Sequence, residues 1–252
     1  MIRRLAPRVA VVAAILLAWE LLPRTGVVNA VFLTPASEVL RALWRLLAGG
    51  ELTRHALASV LRVAWGLGAA LAAGVPLGLA MGWFRGLEAS VNAPLQAGRQ
   101  VSAIALFPVF ILFFGIGELS KVVIIFWASL WPILLNTVAG VKGVDPVLVR
   151  CARSMGARGV TLFAKVVLPA AAPSIFTGVR LGAAYAFMVL VAAEMIGANA
   201  GLGFLVLNSQ EVFDIPRMYA AIVALAALGL AVNDLLHLAE RRATAWREAA
   251  ES

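Results

Sequence analysis

The class of fold is decided first by residues 122–141, which read VVIIFWASLWPILLNTVAGV. This run of 20 residues contains no Asp, Glu, Lys or Arg. A helix rises about 1.5 Å per residue, so about 20 apolar residues cross the roughly 30 Å hydrocarbon layer of a bilayer. The run therefore predicts a membrane-spanning helix, and similar runs lie on both sides of it.

The composition of the whole chain supports the same class. Of 252 residues, 62% are hydrophobic and 13% are charged, whereas soluble domains are about 45–50% apolar and about 25% charged. This excludes a soluble globule, a disordered chain, a coiled coil and a disulfide-stapled secreted domain. We predict an all-α polytopic membrane protein whose 252 residues form a single transmembrane domain.

Six candidate spans define the predicted topology. They cover residues 5–22, 61–84, 98–116, 122–141, 175–198 and 219–238. If the N-terminus lies inside, twelve Lys and Arg residues fall in inner segments and six in outer segments. The positive-inside rule then predicts that both termini are cytoplasmic. The net charge of +8 is accordingly interpreted as a topology signal and not as a nucleic-acid surface.

Small residues recur every four positions along the second span, at Gly66, Ala70, Gly74, Gly78 and Gly82. Such a stripe lets another helix approach closely. We favour packing within one subunit over an interface between subunits.

Proline residues interrupt three of the spans. Pro76, Pro108 and Pro132 each remove one backbone donor and predict a kink. Kinked spans are tolerated where protein or a water-filled cavity satisfies the freed carbonyl groups.

An amphipathic helix is predicted in the outer segment between the first two spans. Pro35 with Ser37 indicates its start, apolar residues recur at helical spacing, and Gly49-Gly50 ends it. Its role is either to pack between spans or to dock a partner.

The chain lacks the residues of an enzyme or of a metal site. It has no GxxxxGK[ST] phosphate loop, and His55, His237 and Cys151 are far apart. The acids in or near the spans occur one per helix, at Glu20, Glu194 and Asp234. We predict that this chain is not an enzyme and that it binds no metal or cofactor itself.

The inner loop over residues 142–172 reads KGVDPVLVRCARSMGARGVTLFAKVVLPAAA. Asp145 and Pro146 predict a helix start, with Asp as the cap. A helix over residues 147–155 follows, Gly156 ends it, and a second helical stretch covers residues 160–167. From these residues alone, the loop is either a docking helix or a solvated basic loop.

The spacing within this loop resembles the EAA motif of ABC importer permeases, E-A-A-x3-G-x9-I-x-L-P. Arg150-Cys151-Ala152 occupy the first three positions, Gly156 the glycine position, and Val166 with Leu168-Pro169 the final ones. Arg150 stands where the family usually has an acid. A salt bridge that the family makes through that acid is therefore not implied here, whereas the helix and its docking are.

Other segments resemble the nitrate, sulfonate and taurine branch of the same family. They are LTPASEVL at residues 33–40, the third span with its flanks at residues 99–117, the Asn136-Thr137 and Gly140-Val141 pairs, AEMIGANAGLG at residues 193–203, and Glu240-Arg241 before Trp246. The resemblance covers nearly the whole chain.

The resemblance implies a type I ABC importer permease fold, with a cytoplasmic coupling helix between the fourth and fifth spans. It also implies a homodimer in a prokaryotic inner membrane, two cytosolic ATPase subunits that carry ATP and Mg²⁺, and a periplasmic or lipid-anchored binding protein. The solute would be small and anionic, such as nitrate, a sulfonate or taurine. The competing hypotheses are a secondary transporter or channel without an ATPase, and a membrane enzyme.

The same resemblance assigns ATPase coupling to the loop helix, with Gly156 as its pivot. The predicted coupling residues are Arg150, Cys151, Ala152, Arg153, Ser154, Met155, Gly156 and Ala157.

Residues of the substrate path are a separate prediction, with alternatives left open. The candidates are Glu194, Asn199, Trp131, Asn136 and Arg99. Glu194 is either part of the path or a structural carboxylate bonded to Asn199 or a turn amide, and we favour the latter. Trp127, Trp131 and Asn136 either line a cavity or have a structural role, and for the tryptophans we favour core packing and anchoring at the membrane interface. Arg62, Arg99 and Arg180 either attract an anion or snorkel to the membrane surface, which we favour.

Overall fold

The computed structural model of the chain describes residues 2–29 and 32–251, with only the backbone described at residues 2–10, 12, 85 and 245–251. All regular secondary structure in this part is helical. The helices are α1 (Ile2–Arg24), α2 (Ala36–Ala48), α3 (Glu51–Trp83), α4 (Arg85–Gln100), α5 (Ala103–Phe114), α6 (Glu118–Lys142), α7 (Pro146–Ser154), α8 (Gly159–Leu162), a π-helical turn (Phe163–Val167), α9 (Leu168–Gly197), α10 (Leu202–Glu211) and α11 (Ile215–Glu251).

The helices form two compact units. The first comprises residues 1–59 and 199–227, and the second comprises residues 60–198 and 228–252. Helices α3 and α11 contribute residues to both units.

In the first unit, side chains from one helix satisfy the start of another. The Glu20 carboxylate accepts hydrogen bonds from the backbone N–H and the hydroxyl of Ser37, both at 2.9 Å. The backbone N–H of Gly201 donates to His55 Nδ1 at 3.0 Å, and that of Leu202 donates to Ser59 Oγ at 2.9 Å. The first N–H groups of a helix lack intrahelical partners, so these side chains fix where α2 and α10 begin.

Helix α2 confirms the helix predicted between the first two spans, with Pro35 at its N-terminal boundary and Gly49 at its C-terminal boundary. Val39, Ala42 and Leu46 are buried, whereas Leu40, Trp44 and Leu47 are exposed. The helix therefore has one apolar side packed in the protein and another open to its surroundings.

Four helices of the described chain are long and apolar enough to cross a membrane. They are Glu51–Trp83, Glu118–Lys142, Gly159–Gly197 and Ile215–Thr244, and they contain the second, fourth, fifth and sixth predicted spans apart from one residue at the end of two of them. The first predicted span, residues 5–22, lies partly outside the residues with described side chains.

The third predicted span, residues 98–116, is not one continuous helix. Helices α4 and α5 meet at an angle of 95°, and Val101 and Ser102 between them have extended backbones with ψ of 119° and 124°. The break follows the polar pair Arg99-Gln100, whereas Pro108, the predicted kink, lies within α5. With 12 residues, α5 is about 18 Å long and too short to cross the bilayer alone.

The core of the second unit is built on close contact between α3 and α6. A Cβ atom at Gly66 would lie 2.5 Å from the Ile125 side chain, one at Gly78 2.7 Å from Thr137 Cβ, and one at Gly82 2.6 Å from Val141 Cβ. Ala70 is fully buried in the same cluster. The small-residue stripe thus packs against a helix of the same chain, as we favoured.

Helix α9 approaches α6 from another direction through glycines of its own. A Cβ at Gly178 would lie 2.7 Å from Asn136 Cβ, and one at Gly182 2.9 Å from the Ile133 side chain. On α6, a Cβ at Gly140 would lie 2.8 Å from Ser174 Cβ. Helix α6 is therefore held closely by two neighbours.

We expect Gly78→Ala to lower the free energy of unfolding by about 1–3 kcal/mol, because the added methyl group overpacks the α3–α6 contact. Gly68→Ala on the same helix is the matched control. A Cβ at Gly68 meets nothing within 4 Å, so alanine there should be neutral or stabilising by up to about 1 kcal/mol. Denaturant titration of the detergent-solubilised chain measures both. Equal stability of the two variants would contradict the packing.

Candidate functional site

The loop helix α7 forms as the sequence predicts. The Asp145 side chain accepts a hydrogen bond from the Val147 N–H at 2.7 Å, Pro146 occupies the first turn, and Gly156 after the helix has φ of +87°. Aspartate caps and proline at the first position favour this start, and glycine adopts a positive φ without strain.

Most side chains of α7 and of the residues just after it are exposed. None of the α7 residues is buried, and Met155, just after the helix, is 87% exposed. Arg150, Cys151, Arg153, Ser154 and Gly156 are also exposed, and Ala152 and Ala157 are half-buried. The eight predicted coupling residues therefore form one continuous, basic and partly apolar surface.

The base of the loop is anchored between the ends of α6 and α9. Val141, Val144, Val167 and Ala171 are buried together, and Val149 of α7 packs against them. Helix α7 is thus fixed on one side and exposed on the other, which allows it to move with α6 and α9.

A cavity of about 350 Å³ lies beside the bend between α4 and α5. It is lined by the bend and α5 (Arg99, Val101, Ser102, Ala103 and Ile104), by α6 (Trp127, Ala128, Trp131, Pro132 and Leu135) and by α9 (Tyr185, Met188 and Val189). Two of the predicted path residues, Arg99 and Trp131, are brought together here.

The indole groups of this cavity are unusual in their hydrogen bonding. The rings of Trp127 and Trp131 meet edge to face, with centroids 5.0 Å apart. Both indole nitrogens are buried, and neither has a hydrogen-bond partner among the described residues. Both tryptophans line the cavity, whereas we favoured core packing and interface anchoring for them.

A second polar cluster ties together α3, α6 and α9. The Arg62 guanidinium binds both carboxylate oxygens of Glu118, at 2.6 and 2.7 Å, and Glu194 at 2.6 Å. Arg62 is 3% exposed and Glu194 is fully buried. The Lys121 ammonium lies 3.7 Å from Glu118, so two cations and two carboxylates balance in charge.

This cluster bears on the expectations for Arg62 and Glu194. Arg62 does not snorkel to the membrane surface, because two carboxylates hold it inside the protein. Glu194 makes a structural ion pair with Arg62. No pattern along the chain indicates this pairing, because Arg62 is 132 residues from Glu194.

The remaining path candidates are not gathered at the cavity. Asn136 Nδ2 donates to the Pro132 carbonyl at 2.8 Å within its own helix, and neither Asn136 nor Glu194 lines the cavity. Asn199 is exposed and lies in the first unit. Arg180 is paired with Glu240 at 3.3 Å.

Sequence reasoning missed Glu118, Lys121, Ser102 and Tyr185. Glu118 stands at the start of α6, where an acid is typical of a helix N-terminus, so nothing in its position indicated a tertiary ion pair. Serine is a common residue at helix starts, but Ser102 is recognised as one only once the break after α4 is known.

We expect Arg62→Met to lower the free energy of unfolding by about 3–5 kcal/mol, because the buried Glu194 carboxylate then loses its ion pair with Arg62. Adding Glu194→Gln to Arg62→Met should recover part of the lost free energy of unfolding. Arg54→Met is the control: Arg54 is exposed on the same helix, and its loss should cost less than about 0.5 kcal/mol. Thermal and denaturant unfolding measure all three. Wild-type stability of Arg62→Met would refute the role of the cluster.

Comparison with known proteins places these features in a family. Residues 74–245 match the binding-protein-dependent transport system inner membrane component. The chain is 38% identical over 232 residues to a probable ABC transporter permease of Brucella abortus, with 92% of each chain covered. It is 36% identical over 231 residues to the Escherichia coli protein named as the aliphatic sulfonates transport permease SsuC, covering 92% of this chain and 88% of that one.

A third relative is the taurine transport system permease protein TauC of Escherichia coli, 33% identical over 250 residues, with 97% of this chain and 90% of the relative covered. The family match extends over more than half of the chain, and the relatives are matched over nearly their full length. The chain therefore belongs to the binding-protein-dependent inner membrane components, the permeases of ABC transporters.

Proposed function

We propose that this chain is the pore subunit of an ATP-driven importer. Two copies form the translocation path, two cytosolic ATPase subunits bind ATP and Mg²⁺, and an external binding protein delivers the solute. The observation that carries the proposal is that α7, which lies between two candidate membrane spans, is exposed while its base packs on the ends of those spans.

The chemistry of α7 suits a protein partner. Val147 and Leu148 are each about half exposed, at 50% and 51%, and they share the loop with exposed Arg150 and Arg153. Exposed apolar groups beside charges are typical of an interaction surface. A partner groove with an acidic rim would bury Val147 and Leu148 and pair with Arg150 and Arg153.

In the proposed mechanism, ATP binding closes the ATPase dimer and displaces α7. Because the base of α7 packs on the ends of α6 and α9, the displacement is passed to both helices. Gly140, Gly178 and Gly182 hold these two helices closely together, so they tilt as one body. The pore then alternates between its two sides.

The proposed orientation puts α7 and both termini in the cytoplasm of a prokaryotic cell, with the chain in the inner membrane. Its support is the excess of Lys and Arg in the inner segments. The proposed solute is a small anion such as nitrate, a sulfonate or taurine. That class is supported by Arg99 in the cavity and by the names of the relatives TauC and SsuC.

The single cysteine of the chain provides a test of orientation and docking. Cys151 is exposed on α7, so a membrane-impermeant maleimide should label it from the cytoplasmic face only. Bound ATPase subunits should protect it. A Cys151→Ala/Thr25→Cys variant is the control, since Thr25 is exposed in the outer segment. Labelling of Cys151 from outside, or without protection by an ATPase, would count against the proposal.

We expect Gly156→Val to uncouple transport from ATP hydrolysis. A β-branched residue is strained at φ of +87°, so the end of α7 would be displaced. Gly156→Asn is the control, because asparagine tolerates this conformation. Uptake and ATPase activity are measured in proteoliposomes that contain the complete importer. Normal coupling of uptake to ATP hydrolysis in Gly156→Val would contradict the role of Gly156 as the pivot. Uptake by the chain without an ATPase would favour a secondary transporter.

A further inference from the structure

We infer that α2 is a membrane-surface helix, whose exposed apolar side chains enter the acyl layer and whose arginines bind the phosphate groups of anionic phospholipids. The inference goes beyond the proposed importer, because it requires only that the chain spans a bilayer. Three features of the first unit carry it. Both ends of α2 are held at the ends of spans, the helix has three distinct faces, and a shallow hollow lies where two of these faces meet.

The start of α2 is held against the end of α1, the helix of the first predicted span. The Trp19 indole donates to the Thr34 carbonyl at 3.1 Å, and the Glu20 carboxylate accepts two hydrogen bonds from Ser37 at 2.9 Å. The exposed apolar side chains of α1 end at Leu22. Because apolar side chains face the hydrocarbon and tryptophan prefers its boundary, α2 begins at the surface of the bilayer.

The other end of α2 leads directly into a second span. Only Gly49 and Gly50 separate α2 from α3, which is a candidate membrane span, and the first exposed large apolar side chain of α3 is Leu57. With 13 residues, α2 is about 20 Å long and too short to join opposite sides of a hydrocarbon layer of roughly 30 Å. Both of its ends therefore lie at one surface of the membrane, and the helix runs along that surface.

The side chains of α2 divide into three faces, because residues three and four apart lie on the same side of a helix. We call them the protein face (Val39, Ala42 and Leu46, all buried), the apolar face (Leu40, Trp44 and Leu47, all exposed) and the basic face (Arg41, Arg45 and Ala48, all exposed). Helices that lie in a membrane surface carry leucine and tryptophan on one side and basic residues on another. Two arginines against one carboxylate, that of Glu38, leave α2 net positive.

Lipid is the occupant that suits the apolar face. Leu40 and Trp44 are 62% and 72% exposed. A protein partner that binds only during part of a transport cycle would leave these side chains in water for the rest of it, which is unfavourable for large apolar groups. Acyl chains at the membrane surface cover such a face at all times.

A shallow hollow on α2 joins the apolar face to the basic face. It is lined by Leu40, Arg41, Trp44 and Arg45. Within the described residues, neither arginine forms a salt bridge. Arg45 also lines a polar pocket that contains Glu51 and Asp214, whereas Arg41 does not. Since a guanidinium group binds phosphate through paired hydrogen bonds, Arg41 is the principal phosphate-binding residue.

Spin labelling of the full-length chain measures the environment of each face. The Cys151→Ala background removes the single native cysteine. A nitroxide is then attached at Leu47→Cys on the apolar face, or at Ala48→Cys on the basic face, which is the matched control one residue away. The chain is reconstituted in nanodiscs of phosphatidylethanolamine and phosphatidylglycerol. Collisions of the nitroxide with O₂ and with the water-soluble nickel complex Ni-EDDA are measured.

We expect the label at position 47 to collide mainly with O₂, at a depth of about 5–10 Å into the boundary between headgroups and acyl chains. The label at position 48 should collide mainly with Ni-EDDA. Frequent collision of the position 47 label with Ni-EDDA would show that water covers the apolar face, as at a docking site for an external binding protein. Infrequent collision with both reagents would show that protein, such as a second copy of the chain, covers it. Either result would overturn the inference.

The phosphate contact is tested by fluorescence quenching of Trp44 in the same nanodiscs. Brominated phosphatidylglycerol is compared with brominated phosphatidylcholine, and the Trp44 signal is the difference between the wild type and Trp44→Phe. Arg41→Gln should lower the preference for phosphatidylglycerol about fivefold, the change expected for one arginine near an anionic surface. The control is Arg158→Gln, which removes the same charge from an exposed position in the second unit and should keep the wild-type preference. An unchanged preference in Arg41→Gln would refute the phosphate contact.

Discussion

The close contact between α6 and its two neighbours is the constraint on which the second unit depends. Lipid chains are as apolar as the helices, so spans associate through van der Waals contact and polar bonds and not through the hydrophobic effect. Contact at backbone distance needs small residues, and these stand at Gly66, Gly78 and Gly82 of α3 and at Gly178 and Gly182 of α9. Large side chains of α6, such as Ile125 and Ile133, fill the space thus left.

The buried ion pairs follow from the same arrangement. A charged side chain inside a membrane is expensive and is normally paired or functional. Arg62 lies four residues before Gly66, close to where the stripe brings α3 against α6, and it reaches Glu118 on α6 and Glu194 on α9. Packing by small residues therefore brings the three charged groups within bonding distance, and their bonds in turn hold the start of α6 and the last turn of α9 against α3.

Local signals in the sequence predicted the parts of the structure that local chemistry determines. The glycine repeat, the Asp145-Pro146 helix start and the end at Gly156 each depend on a few neighbouring residues. The Arg62 cluster depends on residues 56 and 132 positions away, and such distances leave no pattern along the chain. The break at Val101 and Ser102 also escaped prediction, because neither residue forbids a helix and Pro108 pointed to a different position.

Helix α6 connects the base of α7 to the cavity. Trp127 and Trp131 of α6 line the cavity, and the C-terminal end of α6 contributes Val141 to the cluster that anchors α7. The opposite wall of the cavity includes the bend between α4 and α5, whose short helix α5 is not a full span. A tilt of α6 driven from α7 would therefore move two indole donors relative to Arg99 and the start of α5. In the proposed importer, α6 transmits the ATPase motion and also forms part of the cavity wall.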